Sequence, residues 1–191
     1  MGNIFKMAAI LFVVAGLASG ILAYYNSLTK PVIAELSKKN EELARTYVMP
    51  EATKFEEVVS EGIKYYKSFD GNNNLIGYVF LASGYGFSSN VETMVGVDKN
   101  FKITTIKVVK QAETPGLGAE SQKIRYGETK PFFEGRFNGK NSLSVVVDKD
   151  DKSSADNVES ITGSTITTRA VCNSVAEFAN LIKKDLAKGG K

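Results

Sequence analysis

No side chain between Lys6 and Lys30 carries a charge at neutral pH, and this stretch limits the chain more than any other feature. Its core, Ala8 to Leu17, continues through Ile21-Leu22-Ala23 to the aromatic pair Tyr24-Tyr25. A helix that is apolar on every side must lie inside a large core or in lipid. About 20 such residues span a bilayer, and paired tyrosines suit the membrane–water interface. Ala18-Ser19-Gly20 and Ile21-Leu22-Ala23 offer small residues for a signal peptidase, but the apolar run is long for a signal core. The expectation is a retained anchor over residues 1–29. Gly16 and Gly20 form a Gly-x-x-x-Gly spacing, which lets a second membrane helix approach closely.

After the anchor, Pro31 to Tyr47 reads as a polar helix that starts near Pro31 and stops at Met49-Pro50. Leu36, Leu43 and Tyr47 fall near one face and charges cover the rest, as in a solvated stalk or a helix with one partner. This gives a stalk at 30–50 and a domain at 51–191. Lys30, Lys38, Lys39 and Arg45 follow the apolar run and only Lys6 precedes it. By the positive-inside rule this points to a cytoplasmic C-terminal side.

The remainder reads as strands, then a helix. Gly62–Phe69 and Leu75–Leu81 flank the turn sequence Asp70-Gly71-Asn72-Asn73-Asn74. Thr93–Val97 and Ile103–Val109 flank Asp98-Lys99-Asn100. Both are hairpin signals. Leu143–Val147 reads as a further strand that fades into the charged loop 148–152. Val171, Val175, Phe178, Ile182 and Leu186 then recur at spacings of three and four, one apolar face of a helix. The fold class expected is α+β: an antiparallel sheet with flanking helices behind one membrane anchor.

Composition narrows the chemistry. There is no histidine and only one cysteine, Cys172. Ser-His-Asp and Cys-His catalysis, histidine-ligated haem and imidazole-bound zinc are therefore excluded. One thiol cannot hold an iron–sulfur cluster, and on a helical stretch it reads as a small packed residue. No metal site is expected. Any electron chemistry needs an organic cofactor. The 24 basic and 21 acidic residues are interspersed without a basic run, which argues against nucleic acid.

Three short segments remain. Glu159-Ser160-Ile161-Thr162-Gly163-Ser164-Thr165-Ile166-Thr167-Thr168 is a hydroxyl-rich turn placed where the last helix opens. Hydroxyls there can cap a helix, and the helix dipole favours an anion at the same spot. Ser83-Gly84-Tyr85-Gly86-Phe87 and Glu113-Thr114-Pro115-Gly116-Leu117-Gly118 are glycine-rich loops after strands, without Rossmann or P-loop spacing. Glycines would let backbone N–H groups approach a flat ring, and Pro115 would stiffen the second loop.

The hydroxyl-rich turn resembles the flavinylation motif of the FMN-binding domain family, D-x-x-[ST]-G-A-[ST]-x-T. Thr162-Gly163 and Thr165-x-Thr167 match it, with Glu159 in place of Asp and Ser164 in place of Ala. Glu-Thr-Pro-Gly-Leu-Gly is also similar to a hallmark of that family. The order of anchor, Gly-Tyr-Gly segment, hexapeptide and terminal motif resembles the G subunit of Rnf-type ion-translocating ferredoxin:NAD oxidoreductases. The C subunit of the sodium-translocating NADH:quinone oxidoreductase is a longer sister. The resemblance implies an electron-transfer flavoprotein component, with FMN on Thr167 through a phosphoester, that is not catalytic alone. It places Glu113, Thr114, Gly116, Leu117, Gly118, Thr162, Gly163, Ser164, Thr165 and Tyr85 at the cofactor site. It also implies the other membrane proteins of the Rnf-type complex as partners and a flavin transferase during maturation. The soluble domain is expected on the extracytoplasmic side of the cytoplasmic membrane, against the flanking charges. Attachment to Thr167 calls for an exposed hydroxyl on a loose turn. A stand-alone extracytoplasmic flavoprotein reductase and an anchored binding module without flavin are the rival readings.

Overall fold

The computed structural model describes residues 2–60 and 62–189. The chain divides into two units, the first forty residues and residues 41–191. Helix α1 (Gly2–Val48) forms the first unit and its residues 41–48 belong to the second; its apolar window is not buried against protein. The helix start expected near Pro31 is absent, and α1 passes through it. Proline has no backbone N–H, so the Ser27 carbonyl lacks its usual donor four residues on. In the turns before it, Ser27 Oγ donates to the Tyr24 carbonyl at 2.7 Å and Thr29 Oγ1 to that of Tyr25 at 3.0 Å.

The second unit is built on five strands that pair in chain order, every pair antiparallel. They are β1 (Lys54–Ser60), β2 (Ile63–Phe69), β3 (Leu75–Tyr85), β4 (Asn90–Asp98) and β5 (Ile103–Lys110). Two hairpin turns use the same device. The Asp70 carboxylate accepts from the N–H groups of Asn72 and Asn74 at 2.9 and 2.8 Å. Asp98 accepts from those of Asn100 and Lys102 at 2.8 and 2.9 Å. Each aspartate replaces a missing backbone partner inside its turn. Strand β1 has no apolar alternation; it is an edge strand with no buried residue. Charged edge strands discourage pairing with other chains.

Successive residues of a strand face opposite sides, and β3 shows what that does. Tyr78, Phe80 and Ala82 enter the larger core. Val79 and Leu81 point the other way and pack with Ala44, Val48 and Met49. The larger core is closed by helix α3 (Thr165–Gly189), whose Val171, Val175 and Ile182 are fully buried. Phe178 and Leu186 are half-buried against the same core. Each fully buried aliphatic side chain contributes about 1.5–3 kcal/mol, so the apolar stripe fixes α3 on the sheet.

Gly84 sets how closely they approach, since a Cβ there would lie against the Ala170 carbonyl of α3 and 3.1 Å from the Ser174 side chain. Gly84→Ala should therefore cost about 1–3 kcal/mol by overpacking. Chemical denaturation of the full chain in detergent tests this, and an unchanged midpoint would show that α3 does not rest on this contact.

Between β5 and α3 lie the short helix α2 (Phe132–Gly135) and a parallel pair of two-residue strands, β6 (Val146–Val147) and β7 (Asn157–Val158). The expected strand Leu143–Val147 is thus reduced to its last two residues, outside the main sheet. Asp156 is the reason: its carboxylate accepts from Asn141 N at 2.8 Å and Ser144 Oγ at 2.7 Å, which winds that stretch into a turn.

Candidate functional site

Strand β5 runs out at Lys110, and three residues later the chain places Glu113 under the end of β3. The turn from β3 to β4 offers three consecutive N–H groups, and all point at this one carboxylate. Phe87 N lies 3.0 Å from Oε2, while Ser88 N and Ser89 N each lie 2.9 Å from Oε1. Ser89 Oγ adds a contact at 3.2 Å. Three N–H groups in a row form a concave anion seat. The fifth donor comes from α3: Thr167 Oγ1 donates to Glu113 Oε2 at 2.6 Å. One side chain thus ties together the β3–β4 turn, the hexapeptide and the opening turn of α3.

Glu113 is 6% exposed. Burial alone would raise its pKa, but the bonds from Thr167 and from the Ser88, Phe87 and Ser89 amides outweigh it and hold the value at about 2. The group is a carboxylate at every physiological pH.

Gly118 makes the arrangement possible. A Cβ at this position would stand 2.6 Å from both Glu113 Oε2 and Thr167 Oγ1. Gly116 and Gly163 have φ of 79° and 75°, in the left-handed region that other residues avoid. At Gly163 a Cβ would also meet the Leu117 side chain at 3.0 Å, so the hexapeptide loop rests on the hydroxyl-rich turn.

The hydroxyls of that turn are not equivalent. Ser164 Oγ lies 3.0 Å from Thr167 Oγ1. Thr168 Oγ1 donates to the Ser164 carbonyl and accepts from Ile161 N, both at 3.1 Å, so it is committed to joining the preceding turn to the helix. Thr162 is exposed, and Thr165 half-buried. Thr167 is fully buried in the first turn of α3, which corrects the expectation of an exposed hydroxyl on a loose turn. The physical reason is Glu113: its carboxylate draws the hydroxyl inward and Gly118 lets the loop close over both.

Thr167 borders a cavity of about 330 Å³, at the lower end of the range for small-molecule sites, about 300–1,000 Å³. Glu113, Thr114, Leu117, Gly118, Gly163, Ser164 and Thr165 line it as well. Among the expected site residues, Tyr85, Gly116 and Thr162 are not in the lining. Two lining residues are absent from the sequence expectation, Phe87 and Ile166. They are 67% and 49% exposed, and with Leu117 at 41% they give the cavity an apolar rim. The signals were an aromatic residue directly after Gly86 and an apolar residue between two threonines.

Cys172 is buried beneath the site on α3; burial first, and then the nearby Asp150 charge, push its thiol up to about 12. It is unreactive.

Residues 86–180 match the FMN-binding domain family. Across nearly the whole chain, the G subunit of the Na(+)-translocating ferredoxin:NAD(+) oxidoreductase complex of Acetobacterium woodii is 30% identical, with 94% of each chain covered. The G subunit of the proton-translocating complex of Clostridium ljungdahlii is also 30% identical, over 92% of this chain and 89% of that protein. Among solved structures, the C subunit of the Na(+)-translocating NADH-quinone reductase from Parabacteroides distasonis superposes with a TM-score of 0.57, covering 78% of this chain and 94% of that one. At 19% identity that likeness speaks for the fold.

Proposed function

Because the chain belongs to the G-subunit family of ion-translocating ferredoxin:NAD(+) oxidoreductase complexes, we propose that it is the electron-carrying flavoprotein of such a complex, with FMN joined by a phosphoester to Thr167. It is a single-pass membrane protein, held by the apolar part of α1. The other membrane subunits of the complex are its working partners, and a flavin transferase is its partner in maturation.

One observation carries the reading. Thr167 holds its hydroxyl in the first turn of a long helix and is one of the residues lining a cavity with an apolar rim. The residues fit the cofactor. N–H groups in the opening turn of a helix lack partners within the helix and favour a phosphate, and Phe87, Leu117 and Ile166 provide faces for a flat ring. When bound, FMN supplies one- and two-electron chemistry at its isoalloxazine. The chain's own part is to tether, position and shield. With no histidine and its only cysteine inert, it has no second redox group of its own among the described residues. A covalent tether also keeps the carrier at high effective concentration between donor and acceptor.

The burial of Thr167 bears on maturation. Gly118 lies against its oxygen, and a transferase can reach it only when that part of the loop is displaced. Glu113 need not move with it, since its seat is the β3–β4 turn.

The soluble unit is placed outside the cytoplasmic membrane, where an exported transferase would meet it. Lys149, exposed on the loop after β6, is the site to test. A cysteine introduced there should react in intact cells with a thiol reagent that cannot cross membranes. The native Cys172 will not compete. Labelling only after lysis would put the domain in the cytoplasm.

The complex itself is tested by purification through a tag on this chain. Several multi-span membrane proteins should accompany it. A flavinylated chain that purifies alone would instead support the stand-alone reductase.

A further inference from the structure

We propose that Glu113 is the base for flavin attachment, a catalytic residue carried by the acceptor protein and not by the transferase. The inference rests on the reading of Thr167 as the attachment residue. Glu113 Oε2 lies 2.6 Å from Thr167 Oγ1 and accepts its proton in the hydrogen bond. That distance is within reach for direct proton transfer. Ser164 Oγ, 3.0 Å from the same oxygen, can donate to one of its lone pairs. The threonine proton therefore points at the carboxylate, and Thr167 is one of the residues lining the cavity.

The carboxylate is a built feature. Three backbone amides hold it, and two glycines are shaped around it. At Gly86 a Cβ would meet Oε1 at 2.8 Å, and at Gly118 it would meet Oε2 and the threonine oxygen together. A threonine used only for packing would need no buried anion beside it. A buried charge is costly unless it is fully hydrogen-bonded, and here it is.

The step balances as a phosphoryl transfer from a flavin–nucleotide pyrophosphate, the co-substrate class that supplies an activated flavin phosphate. Thr167 Oγ1 attacks the flavin-side phosphorus. The new O–P bond forms, the pyrophosphate P–O bond breaks, and the nucleoside monophosphate leaves. The hydroxyl proton passes to Glu113 Oε2 and from there to water. No oxidant or reductant takes part. A carboxylate this acidic is a weak base towards a resting alcohol. It orients the hydroxyl first and takes the proton late, as the forming ester makes the oxygen strongly acidic. Aspartates of protein kinases accept a hydroxyl proton in this way.

The test is the rate of covalent attachment to the full-length apo-protein in detergent, with purified transferase and the flavin dinucleotide, followed by fluorescence in a denaturing gel. Glu113→Gln keeps the volume and removes the base. Its NH2 also leaves part of the amide seat without an acceptor, which is why the pH profile is read beside the rate. General-base contributions are about 10²–10⁴-fold, so attachment near pH 7 should slow by at least about a hundredfold. The residual rate should climb with pH as hydroxide replaces the carboxylate, while the wild-type rate should stay flatter. A purely structural loss would lower the rate equally at every pH. Gly118→Ala is the second variant, since its methyl group pushes Glu113 and Thr167 apart without removing the charge; it should also slow attachment. Circular dichroism and thermal melts establish that each variant is folded.

A folded Glu113→Gln with the wild-type rate and pH profile overturns the proposal, and so does a folded Gly118→Ala that attaches at the wild-type rate. Failure of the underlying reading looks different. In that case Thr167→Ala would still acquire covalent flavin, whatever Glu113 does.

Discussion

Replacing Thr167 with valine should remove covalent flavin completely and leave a folded domain. Valine has the volume of threonine, so the core is not emptied. What is lost is the donor to Glu113 Oε2 and the partner of Ser164 Oγ. A buried polar group left without its partner costs about 1–3 kcal/mol, and Glu113 keeps its backbone donors, so the cost should fall near the low end. In-gel flavin fluorescence reads the first effect, and the unfolding midpoint the second. Thr168→Ala is an informative contrast, because Thr168 is committed to Ser164 and Ile161. It should lower stability by about 1 kcal/mol through the lost hydrogen bonds while some attachment persists. Full attachment to Thr167→Val would remove Thr167 from the chemistry.

The largest stability effect is expected at Glu113. Alanine there strands the three amides of the β3–β4 turn and the Thr167 hydroxyl. The depressed pKa gives the scale: from the ordinary 4.5 to about 2, at about 1.4 kcal/mol per pH unit, is about 3 kcal/mol. The sign follows from linkage. The folded state holds the carboxylate ionised more tightly than the unfolded state does, so the contribution is fully present above about pH 4.5. It is lost as the pH falls from there towards 2. The ionisation-linked part of the difference between wild type and Glu113→Ala should therefore be about 3 kcal/mol at pH 7 and vanish in strong acid. Denaturant unfolding of both proteins across that range checks it. A constant difference at all pH values would mean that the charge is not what the β3–β4 turn holds.

Some of this was legible in the sequence for physical reasons. Hairpins with Asp and Asn in their turns carry their own hydrogen-bond signal. The stripe from Val171 to Leu186 has one period and one partner face. The long uncharged and apolar run of α1 is local in sequence and needs no distant partner to be read. Other features depend on partners far along the chain. Strand β1 is charged and at an edge, so neither alternation nor burial marks it. Leu143–Val147 has strand composition, yet Asp156 bends it into a turn. Pro31 looks like a start signal, yet α1 continues through it.

The site divides in the same way. Thr167 and the hexapeptide could be named from short patterns. That Glu113 would cross to Thr167, fifty-four residues later, and bury it there was not readable from either segment. Phe87 and Ile166 enter the cavity only because the β3–β4 turn and α3 meet over that carboxylate.

The central claim is that this chain carries its flavin on one threonine, and peptide mapping tests it most directly. The full-length protein should be expressed with a flavin transferase, purified under denaturing conditions, digested and sequenced by mass spectrometry. The expected result is one FMN per chain, with the added mass confined to Thr167 in the peptide that opens α3. Flavin found on Thr165 or Thr168, or released intact on denaturation, would contradict it.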